Sequence, residues 1–280
     1  MTTLDTGPRT LMVGGVAATV IGEGAPVTVL AHGLGGSVSE TRPLALRLRG
    51  TRVLLEFRGH GRSDALPGGW TYDLLADDLR AVADATGATR ALGLSLGAGA
   101  LLRVLAATPD RFERLAFVLP AAIDAARLDG ATLRLRGLGE AVDRGDLDAA
   151  VAYLLHEVPE EVRDRRGVKL LLTRRAAQLL ERPAPRPLVE DPEHADRPLH
   201  GRAVLRLVEA PALVVGQEGD PLHRLDVAAE LAAALPGARL LSLPVGGVFW
   251  TAARQAQEAL ADHLTPTDTP ADHPTPEESS

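Results

Sequence analysis

The segment around Ser95 has the residue types and the spacing of a nucleophile on a sharp turn. Gly93, Ser95 and Gly97 match the pattern G-x-S-x-G, between a predicted strand and a predicted helix. A strand-to-helix turn this tight leaves no room for a Cβ atom two residues to either side of the serine. It presents the hydroxyl above the sheet, at a helix N-terminus whose dipole favours negative charge. The pattern predicts a nucleophilic serine; the alternative is a small-residue turn that only packs a helix onto a strand.

A glycine-rich turn, HGLGG at residues 32–36, directly follows another predicted strand. Such a turn leaves backbone N–H groups free to face a negatively charged oxygen. Paired with the N–H of Leu96, the residue after the serine, it could form an oxyanion hole with two donors. A third loop, EFRGHGRS at residues 56–63, contains Arg58 and His60, which we interpret as residues that hold the shape of the loop.

Strands and helices alternate around these turns. Short aliphatic or β-branched runs bounded by turn residues predict strands, and apolar residues spaced three and four apart predict helices. Strands separated by helices indicate an α/β fold, a mostly parallel sheet with helices on both faces. The predicted strands cover residues 16–21, 27–31, 51–56, 90–94, 114–119, 212–215 and 239–243, and the helices cover 72–84, 97–107, 225–235 and 249–264.

The chain divides into four parts. Residues 1–119 form the first part of the α/β core, and residues 207–264 form its second part. Residues 120–206 contain helical periods and no convincing strand, which predicts a helical cap insertion. The helical segments of this insertion are 133–142, 147–156 and 168–180. Residues 265–280 contain four prolines and no large apolar side chain, so we expect a disordered tail.

Composition excludes several classes of function. The 280 residues carry a net charge of −7, which gives no reason to expect nucleic acid as a partner. There is no cysteine, so disulfides, thiolate metal ligands and a cysteine nucleophile are excluded, and we predict no metal site. The longest apolar run, residues 91–102, is shorter than the roughly 20 residues of a bilayer span. Because the N-terminus also has no signal-peptide pattern, we predict a soluble, cytoplasmic protein without a membrane partner.

On these motifs the chain resembles the α/β-hydrolase fold family from residue 16 to residue 264. The resemblance rests on HGLGG, FRGHGRS, GLSLG and the late segment ALVVGQEGD at residues 212–220, in the order of the family. It implies Ser95 as the nucleophile, the N–H groups of Leu34 and Leu96 as oxyanion donors, and Asp220 as the acid. It also implies that the cap shapes the substrate pocket. A serine at the turn argues against the dehalogenase and epoxide-hydrolase branches of the family.

The resemblance fails at the general base. The family places a histidine on the loop after the last strand, and the corresponding residue here is Val248. This matters because a serine hydroxyl is a poor nucleophile without a base. The best substitute is His223, just beyond Asp220, although it could instead face solvent at the start of a helix. His32, which we expect to pack, and the insertion histidines at positions 156, 194 and 200 are further alternatives.

The segment after the last strand is apolar. Val248 is followed by Phe249 and a tryptophan, which suits a dry, hydrophobic pocket for a small apolar carbonyl substrate. His32 is a further pocket candidate, because it directly precedes the oxyanion turn.

We therefore expect a serine-dependent hydrolase of a carboxylic ester, thioester or lactone. Ser95, Asp220 and His223 would be its catalytic residues, with an atypical or absent general base, and we predict no cofactor. The first alternative is a non-hydrolytic lyase, cyclase or decarboxylase that uses the oxyanion hole to stabilise an enolate-like oxygen. The second alternative is a catalytically silent ligand-binding protein that kept the fold.

Overall fold

A single eight-stranded sheet forms the centre of the molecule. The computed structural model describes residues 7–125, 130–158, 160–187 and 196–266, with residues 130–135 described by their backbone alone. The strands are β1 (Arg9–Val13), β2 (Val16–Ile21), β3 (Val27–Ala31), β4 (Thr51–Glu56), β5 (Arg90–Leu94), β6 (Arg114–Val118), β7 (Ala212–Gln217) and β8 (Ala238–Leu243). Their order across the sheet is β1-β2-β4-β3-β5-β6-β7-β8.

The strand directions make this a mixed but mostly parallel sheet. Strands β3 to β8 run parallel to one another, while β2 is antiparallel to both β1 and β4. The chain runs from β3 outward to β4 and returns to β5 on the other side of β3. Ligand sites of open α/β sheets lie at the carboxyl ends of the strands where the order reverses in this way. The loops after β3 and β5 meet at that point.

Helices cover both faces of the sheet, as the sequence predicts. Helices α2, α3 and α8 share one buried cluster with the strands, and α1 and α9 share a second cluster on the opposite face. Both faces of the central strands are therefore buried, which explains why these strands are almost entirely aliphatic. The α-helices are α1 (Val38–Leu44), α2 (Tyr72–Thr86), α3 (Leu96–Ala107), α4 (Gly130–Asp143), α5 (Leu147–Leu155), α6 (Glu160–Arg163), α7 (Arg166–Glu181), α8 (Leu225–Ala234) and α9 (Ala253–Leu264).

The insertion between β6 and β7 is helical. Helices α4 to α7 bury a cluster of their own, made mainly of alanine, valine and leucine side chains, with Trp250 from the core packed against it. The predicted cap is therefore present between these two strands. Its limits at residues 120 and 206, like the other part boundaries, stay predictions.

Three elements differ from the sequence prediction. Strand β1 was not predicted: it lies at the sheet edge with Met12 half exposed, and its sequence has only a weak apolar pattern. Helix α1 contains Pro43, a residue that argues against helix in sequence, yet the Ser37 side chain caps its N-terminus. The last helix begins at Ala253 rather than at residue 249, because Gly247–Thr251 forms a π-helical turn.

The ends of the chain add two points. Among the residues that the structure describes, no helix is both long and apolar enough to cross a membrane. The predicted disordered tail lies outside the described residues, except for Thr265 and Pro266.

Candidate active site

Ser95 lies on the turn between β5 and α3 in a strained backbone conformation. Its φ of 51° and ψ of −108° are rare for a residue with a side chain, and strain of this kind is concentrated at functional sites. The Ser95 N–H donates to the carbonyl of Val118 at 3.0 Å, and the Ser95 carbonyl accepts from the N–H groups of Ala98 and Gly99. These backbone bonds hold the turn on both sides of Ser95 and so fix its backbone.

Glycine is required on both sides of this serine. A Cβ atom on Gly93 would lie 2.5 Å from the carbonyl oxygen of Gly97, and one on Gly97 would lie 2.5 Å from the carbonyl oxygen of Ala31. No side chain fits at such distances from backbone atoms. The structure thus confirms the steric reason for the two glycines of the G-x-S-x-G pattern.

His223 lies between Ser95 and Asp220. Its Nε2 is 2.8 Å from the Ser95 Oγ, and its Nδ1 is 3.1 Å from the Asp220 Oδ2. Because an ionised carboxylate only accepts hydrogen bonds, Nδ1 carries the proton and Nε2 is free to accept the serine proton. The alternative that His223 faces solvent is wrong, since its imidazole is only 16% exposed and bridges the other two side chains.

The Asp220 carboxylate is almost fully buried and accepts four hydrogen bonds. Oδ1 accepts from the backbone N–H groups of Leu222 and His223, at 2.7 and 2.9 Å. Oδ2 accepts from the His223 Nδ1 and, at 2.8 Å, from the Nε2 of Gln217. Burial alone would raise the pKa of Asp220, but the hydrogen bonds from His223 and Leu222 lower it below its ordinary value. The group therefore stays ionised at neutral pH and can stabilise a positively charged imidazole.

Gln217, the last residue of β7, connects this carboxylate to the segment after β8. Its side chain is buried, and while Nε2 donates to Asp220, Oε1 accepts from the backbone N–H of Val248 at 3.1 Å. Gln217 was not among the predicted site residues. A polar side chain ending an otherwise apolar buried strand, just before a candidate acid, was the signal that could have found it.

Val248 and Phe249, which we predicted to line a pocket, pack into the core instead. Val248 is 1% exposed and belongs to the cluster between the sheet and α9, and Phe249 packs against the same cluster. The backbone N–H of Val248, rather than its side chain, is what reaches toward the Asp220 network.

The turn after β3 lies beside the serine. A Cβ atom on Gly33 would be 3.4 Å from the Ser95 Cβ, and the Gly97 N–H donates to the His32 carbonyl at 3.1 Å. Within the part of the chain that the structure describes, neither the Leu34 N–H nor the Leu96 N–H donates to a protein acceptor. Leu96 opens α3, where the first N–H groups have no partner inside the helix. Both predicted donors are thus free for a ligand oxygen.

Two buried histidines hold the shape of this turn. His32 is fully buried; its Nδ1 donates to the Gly33 carbonyl at 2.7 Å and its Nε2 accepts from the Phe57 N–H at 3.1 Å. His60 accepts from the Gly35 N–H through its Nε2 at 3.1 Å. Burial lowers the pKa of His32 to about 4, so it is neutral at physiological pH. With both ring nitrogens used, His32 has none left for a substrate.

Of the remaining histidine candidates, the two that the structure describes form no hydrogen bond with the serine. His156, after α5, and His200 are both exposed, and position 194 lies outside the described residues. Across the described ranges, no group of three or more histidine, aspartate or glutamate side chains has the arrangement of a metal site.

Solved structures of hydrolases share this architecture. The enol-lactonase from Burkholderia xenovorans LB400 superposes with a TM-score of 0.71 at 23% identity, over 92% of this chain and 100% of that chain. The esterase RhEst1 from Rhodococcus sp. ECU1013 gives 0.69 at 20% identity, over 92% and 99%. Est816, an N-acyl homoserine lactone degrading enzyme, gives 0.66 at 20% identity, over 90% and 98%. At these identities the likeness shows a common fold.

The sequence itself decides the family. Comparison with curated protein sequences finds no match. Residues 23–263, however, match the profile of the alpha/beta hydrolase family. That segment runs from the loop before β3 to the end of α9, and so contains every turn described above. The chain therefore belongs to the alpha/beta hydrolase family.

Proposed function

We propose that the protein is a serine hydrolase that cleaves a small carboxylic ester or lactone, with Ser95 as nucleophile, His223 as general base and Asp220 as the acid of the triad. The observation that carries the proposal is the continuous hydrogen-bonded chain of 2.8 and 3.1 Å that joins the three side chains. The base of this triad comes from the loop after β7, which also supplies the acid. The loop after β8, where Val248 stands, supplies none.

The geometry supports a two-step reaction. In the first step, the Ser95 Oγ attacks the carbonyl carbon while its proton passes to the His223 Nε2. The oxygen that becomes negative is held by the N–H groups of Leu34 and Leu96. When the tetrahedral intermediate collapses, the bond between the carbonyl carbon and the alkoxide oxygen breaks. The alkoxide oxygen takes the proton from His223, and the acyl group stays bound to Ser95.

Water completes the reaction. His223, again neutral, takes a proton from water, and the resulting hydroxide oxygen attacks the acyl carbon. The second intermediate releases the Ser95 oxygen, which recovers its proton, and the product is a carboxylic acid. Asp220 fixes the imidazole tautomer and stabilises its positive charge during both steps.

Ester and lactone substrates are favoured over other carbonyl compounds. An enol-lactonase, an esterase and an enzyme that degrades N-acyl homoserine lactones share the fold over nearly the whole of their chains. In a lactone, the leaving alkoxide stays attached to the acyl group, so the product is a single hydroxy acid.

Covalent labelling tests the nucleophile. A fluorophosphonate probe should label Ser95, and Ser95→Ala should remove both the labelling and the hydrolysis of p-nitrophenyl acetate. His223→Gln should lower kcat/KM by about 10⁴-fold, because loss of one triad member leaves only the contributions of the oxyanion hole and of binding. His200→Gln, an exposed histidine, is the matched control and should behave as the wild-type protein.

The same variants separate the alternatives. A non-hydrolytic enzyme that uses only the oxyanion hole would keep its turnover in Ser95→Ala. A silent binding protein would turn over no ester or lactone, and the probe would not label it. Full activity of His223→Gln would mean that the geometry at Ser95 is not that of a working triad.

A further inference from the structure

A cluster of three charges joins the cap to the core. Arg175, on α7 of the cap, lies between two carboxylates: its Nη2 is 3.1 Å from the Glu40 Oε1, and its Nη1 is 3.1 Å from the Glu157 Oε2. Glu40 belongs to α1 of the core, and Glu157 follows α5 of the cap. All three side chains are at least 73% buried, in contrast to most ion pairs on the protein surface.

Glu40 places a carboxylate directly against the oxyanion turn. A Cβ atom on Gly36 would be 2.1 Å from the Glu40 Oε2, and one on Gly33 would be 3.5 Å from the same oxygen. The Gly33 position also lies 3.4 Å from the Ser95 Cβ. The Glu40 Oε2 and the Ser95 Cβ are therefore no more than about 7 Å apart, a distance at which charges still interact in a buried site.

This carboxylate has the wrong charge for its position. During hydrolysis a negative oxygen forms beside the same turn, and a second negative charge at this distance opposes it. The nearby histidines, His32 and His60, do not offset it, because burial lowers their pKa values to about 4 and about 3 and leaves them neutral. Among the described residues, Arg175 is the only cation paired with Glu40.

Arg175 is built to stay charged. Burial would lower its pKa, but the two carboxylates raise it above the ordinary value, so the guanidinium is protonated at every working pH. Its Nε is enclosed and has no hydrogen-bond partner, a cost that a surface arginine would avoid by turning toward water. The side chain also lies where α7 touches the turn, since a Cβ atom on Gly35 would be 3.1 Å from Leu179 of the same helix.

We propose that Arg175 is a positioning residue of the hydrolytic site, through which the cap neutralises the Glu40 carboxylate beside the oxyanion turn and holds it in place. The inference rests on the proposed function, since it concerns the oxygen that forms in that reaction. In this proposal the cap has an electrostatic role at the site as well as a steric one. It supplies the charge without which the oxyanion hole would face an uncompensated anion.

This role predicts an unusual pattern among variants. Removal of Arg175 alone leaves Glu40 uncompensated, so Arg175→Gln should lower kcat on the order of tenfold, from the repulsion of one unit charge at this distance. Glu40→Gln should hydrolyse at least as fast as the wild-type protein. The double variant should recover most of the activity lost in Arg175→Gln, because it carries no uncompensated charge beside the turn.

The experiment measures kcat and KM for p-nitrophenyl acetate in the wild-type protein, the two single variants and the double variant. Arg175→Lys, which keeps the charge, should retain most of kcat, and Arg174→Gln is the matched control because that neighbouring arginine is exposed. Thermal unfolding of each variant establishes whether it is folded. Recovery in the double variant, with KM nearly constant through the series, supports the proposal.

Two other results are distinguishable. If the double variant is as slow as Arg175→Gln, or slower, while both are folded, the arginine has a purely structural role and the inference is wrong. The proposed function stands in that case, because labelling of Ser95 does not depend on it. If the fluorophosphonate probe fails to label the wild-type protein, the proposed function falls and this inference falls with it.

Discussion

Gln217 offers a sharp test of how the Asp220 carboxylate is held. Replacement by methionine keeps the length of the side chain but removes both of its hydrogen bonds. The bond to the Asp220 carboxylate is one to a charged acceptor, with a net value of about 1.5–3 kcal/mol. The buried N–H of Val248 would also lose its acceptor, which costs a further 1–3 kcal/mol or so. We expect Gln217→Met to lower the free energy of unfolding by about 3 kcal/mol.

Activity should fall as well, but less than in a triad variant. The oxygen that accepts from the His223 Nδ1 loses one of its two donors, while the other oxygen keeps its two backbone donors. The carboxylate therefore stays in the loop with a less restricted orientation. Since small misplacements of catalytic groups reduce rates strongly, we expect kcat/KM to fall by about tenfold.

A second substitution separates the two hydrogen bonds. Gln217→Glu keeps an acceptor for the Val248 N–H but places a carboxyl group beside Asp220. Two carboxylates at 2.8 Å cannot both ionise, so the pair holds a proton and its folded-state pKa is raised. A raised pKa means that stability is present at low pH and is lost as the pH rises. This variant should approach wild-type stability near pH 4 and lose it toward pH 8.

Urea unfolding followed by circular dichroism at several pH values measures these changes, together with hydrolysis of p-nitrophenyl acetate. Gln255→Met, at an exposed position on α9, is the control for the change of residue type. The reasoning is refuted if Gln217→Met unfolds at the wild-type urea concentration with wild-type kcat/KM. A Gln217→Glu variant whose stability does not change with pH would contradict the argument about the paired carboxyl groups.

Two further predictions concern the turns around the serine. Gly97→Ala should abolish activity and destabilise the fold by about 2 kcal/mol or more, because its Cβ would meet the Ala31 carbonyl; a folded, active variant in a labelling assay would contradict this. Stability should also fall below pH 6.5, since the lowered pKa values of His32 and His60 mean that only the unfolded chain takes up protons there. Between pH 6 and 4.5 each histidine contributes a loss of up to about 1.4 kcal/mol per pH unit, so His60→Gln should reduce the slope of unfolding free energy against pH.

Most of the fold was readable from local patterns. Each central strand is a short aliphatic run because it is buried on both faces. The glycine-rich turns at residues 32–36 and 93–97 mark the carboxyl ends of β3 and β5. The edge strand β1 and helix α1 were missed because neither has a strong apolar period. Their stability depends instead on pairing with β2 and on contacts with the second cluster, which are not local properties of the sequence.

Local sequence patterns also show which turn carries the serine and why glycines flank it, since that requirement is steric and acts within a few residues. Local patterns did not show which histidine contacts the serine. The contact of His223 with Ser95 and Asp220 follows from the tertiary structure, because an imidazole 128 positions from the serine reaches it through the path of the loop after β7. For the same reason the contact between Arg175 and Glu40 is not predictable from the sequence, because it joins a helix of the cap to a helix of the core.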